Sequence, residues 1–243
     1  MNPTNQPIQP DTSVGEIVAR NYHAAGVFRE AGLDFCCCGG ISLKAACEKR
    51  NLDLNEMLER LEKIGKSDTS GDENYIAWEP GHLIDHIEST HHRFVRTKTE
   101  EIGAYAAKVA RVHGERHPEN VEIYHRFMEL SQELLQHLKS EEEIVFPLIR
   151  EVWKMRMSGE KVYREVIDEL ENQLALMEEE HEGAGSEMAE IRKLSNTYTP
   201  PAEACATYRI LYQNLAGFEQ DLHKHVHLEN NILFKKAEKL ISG

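Results

Sequence analysis

Residues 137–146 and 225–234, 88 positions apart, both read H-x-x-x-E-x-x-I-[VL]-F. In each, the histidine and glutamate interrupt an apolar stripe of helical period. Leu211, Leu215, Phe218 and Leu222 lead into His225 and Glu229, and Ile232 resumes the stripe. Phe127, Leu130 and Leu134 lead into His137 and Glu141, followed by Ile144 and Leu148. A third stripe, Leu170, Leu174 and Met177, leads to His181 and continues at Met188 and Ile191. Positions three and four apart lie on one helix face, so these side chains are directed at the core. Burying an unpaired carboxylate costs several kcal/mol even after relaxation. The chain must therefore fold so that these helices face one another across a shared partner.

The rest of the sequence supplies those helices. Glycine and proline are sparse within four long segments, at about 79–112, 119–156, 160–194 and 202–240. Breaks lie at 113–118, at Ser158-Gly159 and at 196–201. Strand-like alternation is nearly absent. The pattern predicts an all-α fold, an up-down four-helix bundle at 79–243. Ahead of it, Ser13 to Glu16 fits a capping box that opens a helix running to about residue 31, which Gly32 ends. A turn at Cys36-Cys37-Cys38-Gly39-Gly40 follows, then short helices at 42–50 and 53–65. Residues 1–66 thus form a small cysteine-containing helical domain. The polar, breaker-rich stretch that follows makes 67–78 a linker.

No apolar run is long enough to span a bilayer, and the first eleven residues lack the basic and apolar regions of a secretory signal. A net charge of -14 argues against nucleic acid. Five cysteines, three of them consecutive, make no secreted disulfide framework and fit reduced thiols in the cytoplasm.

Each motif has a histidine 44 or 45 residues upstream, His181 before His225 and His92 before His137. Four imidazoles and two carboxylates form the ligand set of a two-metal site, suited to divalent iron, with manganese or zinc as alternatives. Two histidines per metal, with Glu141 and Glu229 spanning the pair, use every group. Water, oxide or hydroxide would complete the shell. The first histidine stays open at this point: the spacing Ile84, Ile87, His91, Phe94 directs His91 at the core, and the repeat arithmetic fits His91 and His92 about equally. His23, His113, His117 and His125 lie off the stripes, His223 and His227 flank His225 on other faces, and His86 is at most peripheral.

Over nearly its whole length the chain resembles the RIC family of iron–sulfur cluster repair di-iron proteins, which are hemerythrin-like. Leu33-Asp34-Phe35-Cys36-Cys37-Cys38-Gly39-Gly40 is similar to the family's L-D-[FY]-C-C-G-G signature, and Asp85-His86-Ile87 with His92 to its D-H-I…[YH]-H segment. His137 to Phe146, Glu180-His181-Glu182 and His225 to Phe234 are similar to its bundle motifs. The resemblance favours His92 over His91. It implies a non-haem centre of two iron ions, with His92, His137, His181 and His225 as terminal ligands and Glu141 and Glu229 as bridges. The implied role is the repair of iron–sulfur clusters damaged by oxidative and nitrosative stress, by iron donation rather than turnover. The implied partners are damaged iron–sulfur proteins. Glu133 and Glu180 would line an iron path. A homodimer stays open. The chain departs from the family in having three adjacent cysteines, Cys36, Cys37 and Cys38, whose thiols suit redox exchange or transient metal holding. The alternatives are a hemerythrin-like carrier of O2 or NO, for which a five-histidine pattern is expected, and a di-iron NO or peroxide reductase, for which no flavin or haem motif is present.

Overall fold

A computed structural model describes residues 8–65 and 74–242. Residues 66–73, which include most of the expected linker 67–78, lie outside the described residues. The described elements are helical, with one isolated bridge between Ser13 and Ser42. Four long rods make the bundle. The first joins α5 (Pro80–Ile87) to α6 (Arg93–His113), and the second joins α7 (Glu119–Ser140) to α8 (Phe146–Met157). The third is α9 (Arg164–Leu194), and the fourth joins α10 (Ala206–Leu228) to α11 (Phe234–Ser242). Contacts run α6 to α7, α7 to α9, α9 to α10 and α10 back to α6, which closes an up-down square. This is the predicted bundle, with its breaks at the predicted places. None of the described helices is long and apolar enough to cross a membrane.

Three of the rods are interrupted by a single π-helical turn: Glu88–His92, Glu141–Val145 and Glu229–Leu233. A π turn inserts one residue into the helical register, a device concentrated at functional sites. Each of the three begins or ends on a residue of the His/Glu set. They lie between two apolar clusters. One contains Ile84, Ile87, Val145, Phe146, Leu174, Met177, Leu233 and Phe234. The other contains Ile102, Leu130, Leu134, Leu138, Ala184, Met188, Leu222 and Val226. The polar layer thus crosses the bundle where neither cluster reaches.

Ahead of the bundle lie α1 (Val14–Arg20), α2 (Ala24–Glu30), α3 (Leu43–Arg50) and α4 (Leu54–Gly65). Ser13 caps α1 by accepting from the Glu16 N–H, as expected. The single helix expected to run on to residue 31 is instead broken at Asn21. Its backbone is extended there, and its Oδ1 accepts the His23 N–H at 3.0 Å. The asparagine side chain offers the backbone a turn in place of the next helical bond. Gly32, at φ +68, ends α2 as predicted. Val14, Phe28, Leu43 and Leu61 join the same apolar cluster as Leu130 and Leu222, and α1 packs on α10 and the turn Glu229–Leu233, so the small helical part sits directly on the bundle.

Candidate metal centre

All six residues read from the repeat converge in the polar layer. Their donor atoms form two groups, each within 4.8 Å: His92, Glu141, His225 and Glu229, and His137, Glu141, His181 and Glu229. The carboxylates belong to both groups through opposite oxygens. Glu141 turns Oε2 to His92 Nε2 at 3.3 Å and Oε1 to His137 Nε2 at 3.3 Å. Glu229 turns Oε1 to His225 Nε2 at 2.9 Å and Oε2 to His181 Nε2 at 3.2 Å. Both glutamates are fully buried.

Three of the imidazoles are anchored from behind. His92 Nδ1 meets Glu142 Oε1 at 2.7 Å, and Glu142 in turn accepts two 2.9 Å bonds from Arg96. His137 Nδ1 meets Glu180 Oε2 at 2.6 Å, and His181 Nδ1 meets Asn230 Oδ1 at 2.8 Å. A ring whose Nδ1 faces such an acceptor carries its hydrogen there and turns a lone pair outward from Nε2. Consequently His137 Nε2 and His181 Nε2, 3.0 Å apart, present two lone pairs to one point. Both oxygens of Glu141, Oε2 of Glu229 and Nε2 of His92 are buried without a hydrogen bond. Orphaned carboxylate oxygens facing imidazole lone pairs fit divalent cations, and the mix of nitrogen and oxygen donors fits iron.

The electrostatics agree. Burial alone would raise the Glu229 carboxyl, but His225, His181 and His92 hold it well below the usual carboxylate range. Glu141 is likewise lowered: burial and Glu229 oppose its charge, and His137 and His92 outweigh them. Burial disfavours the imidazolium of His92, yet Glu141 and Glu229 raise it to about 10. His137 also reaches about 10, through Glu141 and Glu180 acting against burial. The enclosure therefore stays anionic and gathers positive charge, as protons or as metal. His225, behind which no acceptor stands, is lowered by burial.

The π turn explains the ambiguity at the first histidine. With one extra residue between Glu88 and His92, both His91 and His92 are buried. His92 faces the carboxylates. His91 bonds Asp221 Oδ1 at 3.0 Å and stacks on the His225 ring at 5.6 Å, outside either group. His223 and His227 lie elsewhere, against Phe35. Glu142 and Asn230 escaped the sequence reading because neither lies on an apolar stripe. A signal existed nonetheless: each directly follows the glutamate of its motif, and each holds the Nδ1 of that motif's upstream histidine.

Glu133 and Glu180 line a cleft of about 600 Å³ that reaches His137 and His181. The cysteine loop packs against α9 and the turn Glu229–Leu233. Cys36 is buried, Cys37 half-buried and Cys38 exposed, and all three border a second cavity of about 450 Å³. Cys37 Sγ lies 3.5 Å from the His181 carbonyl oxygen. Asn230 Nδ2 donates to the Cys36 carbonyl at 3.3 Å, and Asn231 Nδ2 donates to the Phe35 and Cys36 carbonyls at 3.2 and 3.1 Å. A Cβ on Gly39 would stand 2.4 Å from Asn231 Oδ1 and 2.5 Å from the Phe35 carbonyl, so the loop can approach this closely only with glycine there.

Comparison with known proteins accords with this architecture. Residues 82–237 match the hemerythrin HHE cation-binding domain, and residues 10–65 match ScdA_N, a domain of unknown function. The iron-sulfur cluster repair protein ScdA of Staphylococcus haemolyticus is 31% identical over 94% of this chain and 99% of its own. A probable iron-sulfur cluster repair protein of Haemophilus influenzae is 35% identical over 88% of this chain and 91% of its own. The iron-sulfur cluster repair protein YtfE of Dickeya chrysanthemi is 34% identical over 93% and 96%.

Proposed function

Since this chain belongs to the iron–sulfur cluster repair proteins with a hemerythrin-type bundle, we propose that it stores two iron ions in the polar layer and releases iron to proteins whose clusters are damaged. The observation that carries this reading is the shared use of both carboxylates through opposite oxygens. His92 and His225 would hold one ion, His137 and His181 the other, and Glu141 and Glu229 would span the two. Iron held there supplies an exchangeable ferrous ion, because neither thiolate nor porphyrin traps it. Glu142, Glu180 and Asn230 keep the Nδ1 hydrogens in place, so the Nε2 lone pairs stay aimed inward. Glu133 and Glu180 give the cleft beside His137 an acidic lining that suits passage of a cation. Residues 79–243 would be the metal-holding unit and 1–66 the thiol-bearing one. Five free cysteines suit a reducing compartment such as the cytoplasm.

The test begins with the full chain loaded anaerobically with ferrous iron. The expected result is about two irons per chain, lost when Glu141 and Glu229 are both replaced by alanine. Added to an enzyme with a damaged cluster, the loaded chain should restore more activity than the same quantity of free ferrous iron. Equal recovery from free iron, or full iron retention without the two glutamates, overturns the reading.

A further inference from the structure

Asp34, Cys36 and Cys37 bring their ligating atoms within 4.8 Å of one another, outside the polar layer of the bundle. The loop is built around the carboxylate. Asp34 Oδ1 accepts the N–H of Cys36 at 3.0 Å and that of Cys37 at 2.9 Å, which turns both thiols to the same side. Cys36 Sγ stands 3.3 Å from that oxygen and 3.8 Å from Cys37 Sγ. Two sulfurs each ~2.3 Å from one tetrahedral ion are ~3.8 Å apart, whereas a disulfide needs ~2 Å. The loop thus has the spacing of a chelate. Its open side faces the cavity of about 450 Å³, which Cys38 also borders. Its other side touches the bundle, where Cys37 Sγ meets the carbonyl of His181.

We propose that Asp34, Cys36 and Cys37 form a second metal site, for a thiophilic divalent cation, in which the fourth ligand comes from the cavity. Binding releases the two thiol protons and forms two metal–thiolate bonds and one metal–carboxylate bond. A cysteine thiolate of a client protein is the ligand that fits the fourth position, and exchange of the three protein ligands for client thiolates would pass the ion on. This hand-over role rests on the bundle holding iron; the site itself does not. The chemistry differs from that of the bundle: soft sulfur donors at the surface, against imidazole and carboxylate inside.

Cobalt(II) is the probe, because thiolate coordination gives it sulfur-to-metal charge-transfer absorption in the near ultraviolet that nitrogen and oxygen donors do not. The full iron-loaded chain, reduced and anaerobic, is titrated with cobalt(II) while iron per chain is measured on the same samples. The expected result is about one further equivalent of cobalt with a thiolate band. The band should be lost in the Cys36→Ala, Cys37→Ala double variant and halved in Cys37→Ala. Asp34→Asn, which keeps the turn acceptor, should weaken cobalt binding by about tenfold or more. Circular dichroism checks that each variant keeps its helices, and Cys37→Ala, at a half-buried position, serves if the double variant does not fold. Absence of the band in the native chain, with iron retained, overturns this site and leaves the bundle reading standing. An undiminished band in Cys37→Ala or in the double variant assigns it to Cys38, Cys47 or Cys205 and also overturns the site. A band in a chain whose bundle holds no iron overturns the hand-over role together with the storage function.

Discussion

At the scale of single residues, the layer works because groups that never touch a cation hold those that would. Asn230 makes this measurable. Its amide oxygen fixes His181 Nδ1 and its amide nitrogen the Cys36 carbonyl. Asn230→Ala should leave the six converging residues intact yet lower metal affinity by roughly 10- to 100-fold, as loss of a partner behind a ligating histidine does, read by competition with a chelator. A second residue, Glu219, six residues before His225 on α10, is buried outside the converging set, and burial raises its carboxyl above the ordinary range despite the opposing charge of Arg192. The folded chain therefore holds that proton more tightly than the unfolded one. Stability from this group is full below the unfolded carboxylate pKa and is lost as pH rises through the raised folded value. Against Glu219→Gln, which cannot titrate, the native chain should lose relative stability as pH climbs through that window and then level off, measured by denaturant unfolding at several pH values. A difference independent of pH would refute the argument. The sequence revealed Glu141 and Glu229 because acids on an apolar stripe are conspicuous. It concealed Glu142 and Asn230 because residues beside a stripe look like solvated surface.

At the scale of elements, the π turns decide which side chains reach the layer. Helical periodicity located the rods and their breaks, since apolar spacing over twenty residues survives a single insertion. It could not choose between His91 and His92, because the insertion falls at that point and advances the face by one residue. The same blindness hid the break at Asn21, where a side-chain hydrogen bond overrides an unbroken apolar pattern. Register also yields a prediction. Ile144, half exposed, lies within the turn Glu141–Val145. Removing it would restore regular α-helix and close the widened turn that carries Glu141, while Val145, Phe146 and Ile149, all fully buried, keep the face they occupy, because four α residues cover about the same rotation as five π residues. The deletion should abolish metal retention with only a modest fall in melting temperature, whereas Ile144→Ala should leave both nearly unchanged, as metal analysis and thermal unfolding would show. Equal effects of the two changes would mean that the wide turn is incidental.

At the scale of the whole molecule, the thiol-bearing helices and the bundle share one apolar cluster and a polar clasp at Asn230 and Asn231. Calorimetry of the loaded chain is expected to give one unfolding transition rather than two, displaced to lower temperature by a chelator because binding to the folded state alone stabilises it. Two well-separated transitions would refute that coupling. No sequence pattern announces it: contacts between distant segments leave no periodic trace, and the glycines of the cysteine loop read as a turn, although Gly39 is there to admit Asn231. The turn Glu229–Leu233 begins with a carboxylate of the polar layer and continues into the two asparagines that grip the loop. A client that prises the thiol loop away must therefore tug on the wall that carries Glu229, so that lifting the lid also loosens the box beneath it.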